Sequence, residues 1–415
     1  MAIIRPFQAL RPVPELAKEV AALPYDVLTT AEARILAQDH PHSFLHVTTA
    51  EIDLDPATAT NDPRVYAKAR ENLDRLIADG VLVPEAAACF YIYREAAGAH
   101  AQIGLAGCTA IDDYLAGVIK IHEQTRPAQE QERTHYVASC DANTCPIFLT
   151  YRSQPAISQL LDAWIAQHAP IYDFTADDGV QHTVWVLDHP ATMQRLTALF
   201  AAVPALYVAD GHHRSASAVN VGKLKRQQHP AYTGDEEFNY FLSVLFPGDQ
   251  LAILDYNRVV KDLHGLSVPE FLAKVGAQFE IAPHPGPGPY KPAKRRTFGM
   301  YLAGQWHRLT PKLGTYDEAD PVAGLDVSIL QNNLLRPILG IQDPKTDERI
   351  EFVGGIRGLA ELERRVAQGM TVAFALYPTS IAEMMAIADA GQLMPPKSTW
   401  FEPKLRSGLF IHRLS

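Results

Sequence analysis

Cysteine is scarce in this 415-residue chain: Cys89, Cys108, Cys140 and Cys145, none of them in a C-x-x-C pair. Cys140 and Cys145 are separated by four residues, and no partner pair follows at zinc-ligand spacing, so neither a disulfide framework nor a zinc ribbon is indicated. Four free thiols in a reducing cytosol are expected. There is also no apolar run of about 18 residues, the length a membrane helix needs. The opening MAIIRPFQAL has no long apolar region and does not read as a signal peptide. Basic charge is in deficit, with 37 Lys and Arg against 47 Asp and Glu and a net charge of -10. Bulk electrostatics therefore give no reason to expect nucleic acid. No G-x-x-x-x-G-K motif occurs, which excludes an ordinary P-loop. Repeats and low-complexity tracts are absent too. The remainder, 47% hydrophobic and 20% charged, is ordinary for a soluble globular protein, and the length suits two or three domains.

What the chain does have is one chemically dense turn, LYVADGHHRSASA from Leu206 to Ala218. Ala205 to Ala209 is short, apolar and β-leaning, and Ser215 to Arg226 has helical spacing of small and apolar residues. Between them stand Asp210, Gly211, His212, His213 and Arg214. A strand that enters a helix through a glycine leaves backbone N–H groups unpaired at the helix start, and those donors and the helix dipole favour an anion. Arg214 adds a planar fork suited to phosphate or carboxylate. Asp210 has three readings: a helix cap, a metal ligand or a proton acceptor. A purely structural account of the same residues makes Asp210 an N-cap and Gly211 a tight turn.

DGHHR resembles the phosphate loop of the free serine kinases in the ParB/sulfiredoxin superfamily. That resemblance implies an α+β fold with a ParB/sulfiredoxin-like strand-turn-helix core and large N- and C-terminal α/β additions. It implies that Gly211, His212, Arg214 and Ser215 hold nucleotide phosphates, and that an upstream glutamate activates the substrate hydroxyl. Glu123 is the candidate for that glutamate. Sulfiredoxins carry a cysteine just before the His-Arg pair; His212 stands there in this chain, which disfavours that chemistry. Over a longer span, the chain is identified as a member of a large bacterial and archaeal family of unknown function with a DGHHR turn. The matching stretches are RPFQALRPVPELAKEVAALPYDVL, SFLHV with EIDL, IKIHEQTRP, YVADGHHRSASA, DERIEFVGGIRGL and MPPKSTWFEPKLRSGLF.

Two further stretches are dense in functional groups. Residues 117–136, GVIKIHEQTRPAQEQERTHY, hold Lys120, His122, Glu123, Arg126, Glu130, Glu132, Arg133 and His135. Pro127 interrupts any helix there, so the first half reads as a strand or loop end. Glu123 and Arg126 are suited to lie beside an anionic ligand; a solvated charged helix shows the same mixture. The tail from Met394, MPPKSTWFEPKLRSGL, combines Lys397, Lys404 and Arg406 with Trp400 and Phe401, as a pocket wall does. A C-terminal strand with a snorkelling basic face is the alternative. Gly354–Gly355, ahead of Arg357, is a candidate second anion nest.

Local signals set the remaining expectations. Thr29 to Glu32 fits a capping box, and Asp62–Pro63 a helix start that ends at Gly80. Ser43 to Thr48 reads as a buried strand, Leu251 to Val259 as one strand, and Asp326 as the cap of a helix from Val327 to Leu339. The Pro- and Gly-rich segment 282–292 is the best boundary candidate. Three regions follow: 1–115, 116–281 around the DGHHR turn, and 293–415. Asp26, in the N-terminal PYDV, reads as a cap or as part of a folded turn.

The function expected is nucleotide-dependent transfer of a phosphoryl group to a small hydroxyl metabolite, free serine or a relative. Asp210, Glu123 and His213 form the catalytic group, with Asp210 also binding magnesium. Gly211, His212, Arg214, Ser215, Arg126, Lys397 and Lys404 hold ATP or ADP. The rivals are a non-catalytic sensor of a nucleotide or phospho-metabolite, and a phosphatase using the same anion site. Expected partners are a small-molecule substrate and a second copy of the chain; the expected compartment is the cytoplasm.

Overall fold

The computed structural model describes residues 2–415. It is a mixed α+β structure in two compact units, Met1–Leu251 with Pro403–Ser415, and Ala252–Glu402. The three regions expected from the sequence do not coincide with these units. Strands from 1–115 and from 116–281 interleave in one sheet, so no boundary falls at 116. The Pro- and Gly-rich 282–292 lies inside the second unit, where it starts in the last two residues of the strand Phe279–Pro283 and leads toward the strand Phe298–Leu302.

The first unit is built on a nine-stranded sheet. Its strands are β1 (Ile4–Arg5), β2 (Phe90–Ala97), β3 (His100–Ala110), β4 (Ile119–Lys120), β5 (Ile147–Tyr151), β6 (Tyr172–Thr175), β7 (Gln181–Leu187), β8 (Leu206–Asp210) and β9 (Tyr240–Pro247). The order is β4-β8-β5-β9-β3-β2-β7-β6, with β1 also on β3. β8 runs parallel to β4 and β9 parallel to β5; the other neighbours are antiparallel. Strands β5 and β8 are near-continuous apolar runs, as strands covered on both faces require. Phe90, Ile92, Leu149, Leu206, Val208, Phe241 and Leu245 belong to one core cluster around them.

The helices of this unit include α1 (Pro63–Ala78), α2 (Pro127–Cys140), α3 (Pro155–Ile165), α4 (Pro190–Ala201) and α5 (His212–Gln228). All but α5 open with proline in the first turn, where no N–H bond is lost. Pro127 thus starts a helix, and the strand β4 and a loop precede it. The Thr29–Glu32 capping box is present, and Asp62 caps α1. Ser43–Thr48 is not a strand: Leu45–Thr48 is a helical turn, apolar because it packs on a second core cluster with Val65, Leu73 and Tyr136. A short buried apolar run does not by itself distinguish the two.

The second unit carries a six-stranded antiparallel sheet that includes β10 (Tyr256–Val260), β11 (Ile350–Gly354) and β12 (Val372–Ala375). The single strand expected over Leu251–Val259 is broken at Asp255: Ala252–Leu254 pairs instead with Trp400–Glu402. Asp326 does not cap by its side chain. Leu325 is the N-cap, the helix is Asp326–Leu330 followed by a π turn at Gln331–Leu335, and the Asp326 carboxylate accepts from the Arg296 N–H at 3.1 Å. Among the described residues, no helix is long and apolar enough to cross a membrane.

Candidate functional site

The site is where β8 becomes α5. The pairing of β8 with β5 slips between Val208 and Asp210, and such a bulge bends a strand and re-aims its last side chain. Asp210 is therefore the end of the strand, and Gly211 is the N-cap with φ 95°. Only glycine takes that left-handed angle without steric cost. The close approach matters as well: a Cβ on Gly211 would lie 3.0 Å from Cζ and Nε of Arg214. No side chain caps α5.

Arg214 folds back over this glycine. Its Nη1 donates to the Pro146 carbonyl at 2.6 Å, and its Nη2 faces Asp210 Oδ2 at 3.0 Å and Asp26 Oδ2 at 3.4 Å. The residue is only 7% exposed, so the fork expected to face a ligand phosphate is turned onto the protein's own groups. The partly exposed members of the cluster are instead carboxylates, Asp210 at 28% and Asp26 at 35%. Lys404 Nζ approaches Asp210 Oδ2 at 3.6 Å. Burial by itself would raise the Asp210 carboxyl, but Lys404 and Arg214 outweigh it and hold that group well below the usual carboxylate range. Asp210 is ionised at neutral pH.

Two buried histidines back the turn. His212 Nε2 accepts from the His122 backbone N–H at 3.4 Å, and the two rings stand edge to face at 4.4 Å. Burial holds His122 down to about 4, against the pull of Asp210. Burial and neighbouring His122 push His212 well below its ordinary value. Both are neutral at pH 7. His213, half-buried, accepts at Nε2 from the Arg126 backbone N–H at 3.0 Å. The Arg126 side chain itself is exposed. Ser215 is fully buried, its hydroxyl bonded to the His212 carbonyl at 3.0 Å.

The loop that carries Glu123 is thus tied to the first turn of α5 at His122 and at Arg126. A third tie comes from Glu130, which accepts from Thr125 at 2.5 Å and from Asn220 of α5 at 2.8 Å. Glu123 sits half-buried on that loop. The tail segment bearing Lys404 is also fixed: Ser407 and Ala22 exchange backbone hydrogen bonds, and Arg406 Nε donates to His182 at 3.1 Å. Ala22 leads into the 3-10 turn Tyr25–Val27 that presents Asp26. Asp26 is the residue that sequence reasoning left out of the site. Its signal was only its place in the PYDV match. The buried Arg133, 4.0 Å over the Tyr25 ring, supports the same turn.

Of the expected site residues, then, Asp210, Gly211, His212, His213, Arg214, Ser215 and Lys404 come together at the turn, with Arg126 and Glu123 on the tied loop. Lys397 belongs to the second unit. Among the described residues no three His, Cys, Asp or Glu side chains cluster as a metal cage. Asp210 and Asp26 share one guanidinium nitrogen; magnesium, where proteins hold it, commonly takes one or two carboxylates with phosphates and water completing the shell. The four cysteines have no disulfide partner, and burial pushes the thiols of Cys89, Cys108, Cys140 and Cys145 up, away from nucleophilic chemistry.

A family model described as protein of unknown function, DUF1015, matches residues 4–328, and the chain belongs to that family. No curated protein matches it. Among solved structures it is similar to a variant of a free serine kinase in complex with ADP, with 13% identity, a TM-score of 0.36, and coverage of 72% of this chain and 90% of that chain. A conserved hypothetical protein from Pyrococcus furiosus is similar at 14% identity and a TM-score of 0.34, over 73% of this chain and 93% of that one. SbnI with a C-terminal truncation, from Staphylococcus aureus, is similar at 13% identity and 0.33, over 72% and 82%. At these identities and scores the likeness carries no functional argument.

Proposed function

We propose that the protein is a nucleotide-dependent phosphotransferase acting on a small hydroxyl metabolite, free serine or a relative, within a ParB/sulfiredoxin-like core. The observation that carries this reading is the pair of partly exposed carboxylates, Asp210 and Asp26, held by one buried guanidinium at the uncapped tip of a 17-residue helix. A helix tip favours phosphate oxygens, and adjacent carboxylates favour the divalent ion that accompanies them. Asp210 and Asp26 would hold magnesium, which, when bound, offsets the charge of the nucleotide phosphates. Lys404 approaches the same Asp210 oxygen as Arg214 and neutralises charge there. His213 orients the loop through the Arg126 N–H, and the Arg126 guanidinium is exposed beside it. Arg214 acts on the carboxylates rather than on the ligand.

In this reading Glu123 takes the proton of the acceptor hydroxyl as its oxygen bonds to phosphorus. The bond from phosphorus to the bridging oxygen breaks, leaving ADP from ATP or AMP from ADP. Such a transfer needs positioning and charge stabilisation more than covalent chemistry. The test is to incubate the protein with ATP or ADP, magnesium and serine, and to look for phosphoserine by mass spectrometry. Asp210→Asn should retain the fold and lose transfer by two orders of magnitude or more. Undiminished turnover in that variant sinks the proposal. Nucleotide binding without turnover by the wild type would point to a sensor, and phosphate release from phosphoserine to a phosphatase.

A further inference from the structure

The second unit brings together two stretches that are 43 residues apart along the chain, Gly354–Gly355 and Lys397–Trp400. They meet around Tyr256. Tyr256 pairs with Gly354 between β10 and β11. The indole of Trp400 lies on that glycine, where a Cβ would be 2.7 Å from Cε3, and meets the Tyr256 ring edge to face at 5.2 Å. Phe352 meets the same ring at 6.1 Å. The expected backbone nest at Gly355 is closed, because its N–H donates to the Asp255 carbonyl at 2.7 Å. The glycines serve close packing, and the cations come from elsewhere.

One of them is Arg258, 4% exposed, a residue the sequence did not single out. Its guanidinium lies over the Phe352 ring at 5.2 Å and donates to backbone carbonyls, those of Tyr256 and, at 3.0 Å, Lys397. No carboxylate lies within ion-pair distance of Arg258 or of Lys397 among the described residues. Burying a cation without a counter-charge is costly, and here burial holds the guanidinium down to about 10. Its hydrogen bonds fix one turn. Lys397 occupies that turn at φ 58°, a left-handed angle that disfavours a side chain. Ser398 Oγ to the Pro395 carbonyl at 2.6 Å, and Thr379 Oγ1 to the Ser398 carbonyl at 3.0 Å, hold it further. Strain that is over-determined in this way marks functional positions. What the turn displays is the exposed Lys397 ammonium, 5.7 Å from the Tyr256 ring centroid.

We propose that this turn of the second unit is itself a phosphate-binding element. Lys397 Nζ takes the phosphate of a small organic phosphate, the ring or apolar part of that ligand lies on the half-buried faces of Trp400 and Phe352, and Arg258 is the positioning residue. A lysine is a point charge suited to phosphate. The aromatic floor gives the rest of the ligand a surface that water solvates poorly.

Phenyl phosphate is the probe, titrated into the full-length protein by calorimetry. Lys397→Gly removes the ammonium but suits the left-handed angle, so it should melt no lower than the parent. It should weaken phenyl phosphate at least tenfold. Asp210→Asn should leave that affinity within twofold. Arg258→Lys should weaken binding in the parent and add nothing in the Lys397→Gly background. Unchanged binding by Lys397→Gly overturns the proposal, as does no binding by the parent. Loss of binding in Asp210→Asn assigns the phosphate to the helix tip and overturns it as well. An additive loss in the double variant removes Arg258 from the positioning role. Failure of the kinase reading touches none of these outcomes.

Discussion

Arg214, in the first turn of α5, and Asp210, the last residue of β8, are joined at 3.0 Å across the Gly211 turn, and the nitrogen that joins them is the one that also faces Asp26. The arginine is consequently an internal counter-ion. Removing it strands two carboxylates beside a buried glycine turn. Deleting one partner of a fully buried ion pair costs about 3–5 kcal/mol; here both carboxylates are partly exposed and Lys404 stays beside Asp210, so the cost falls below that range. Arg214→Met should lower the urea midpoint accordingly. Arg214→Lys retains charge but loses the fork, and should recover part of the stability while Asp210 is no longer held in place. If Arg214→Met unfolds at the wild-type midpoint, the inward-facing geometry is wrong.

The acid limb of stability should report Asp210. Its folded pKa lies below the ordinary value of 3.8, so the unfolded chain takes up this proton first as pH falls. The stabilisation is complete above about pH 4 and is lost below it, toward the folded pKa. Asp210→Asn should flatten the dependence of the melting temperature on pH below about 4 and leave its course above pH 7 unchanged in shape. Calorimetry on the two proteins checks this, and an identical acid limb refutes it.

His122 titrates in a different window. Its ordinary value is 6.5 and burial holds it to about 4 in the fold. The unfolded chain therefore binds the proton between those values while the folded one does not. Stability is full above pH 6.5 and falls by on the order of 3 kcal/mol as pH drops to about 4. His122→Gln should remove much of that slope. Imidazole resonances followed by NMR should show His122 neutral at pH 5; a protonated ring there contradicts the packed edge-to-face pair with His212.

The turn itself was legible in the sequence because its parts are local. A β-leaning run, a glycine and a helical spacing need only neighbouring residues, and Leu206–Asp210, Gly211 and His212–Gln228 follow them. Thr29 and Asp62 were readable as caps for the same reason. What the turn does with its charges was not local. Asp26 is 188 residues from Arg214, and the Pro146 carbonyl is 68 away. Neither partner leaves a pattern along the chain, so Arg214 looked like a free fork. Arg258 was missed because an arginine in a strand ordinarily points to solvent, and, besides the nearby Tyr256 carbonyl, its acceptors are backbone carbonyls 138 and 139 residues on. The unit boundary was missed because the Pro- and Gly-rich 282–292 is mostly a loop within the second unit, whereas Leu251–Ala252 carries no compositional mark.

Gly211→Ala tests the whole arrangement with one methyl group. At φ 95° a residue with a Cβ costs roughly 1–2 kcal/mol relative to glycine. The added carbon also meets Arg214 Cζ and Nε at 3.0 Å, closer than ordinary packing. Arg214 has nowhere to retreat, because Pro146, Asp26 and Asp210 hold its other nitrogens. The backbone or the guanidinium must move, and either motion releases Asp210. The variant should lose about 2 kcal/mol or more in urea unfolding and, under the phosphotransferase reading, activity in proportion to the displaced carboxylate. Ser217→Ala, further along the same helix, is the control: its hydroxyl donates to the Glu130 carbonyl at 3.1 Å, and its loss should cost about 1 kcal/mol without touching the turn. A Gly211→Ala protein no less stable than Ser217→Ala would mean that the left-handed cap and the close arginine are not how this helix begins.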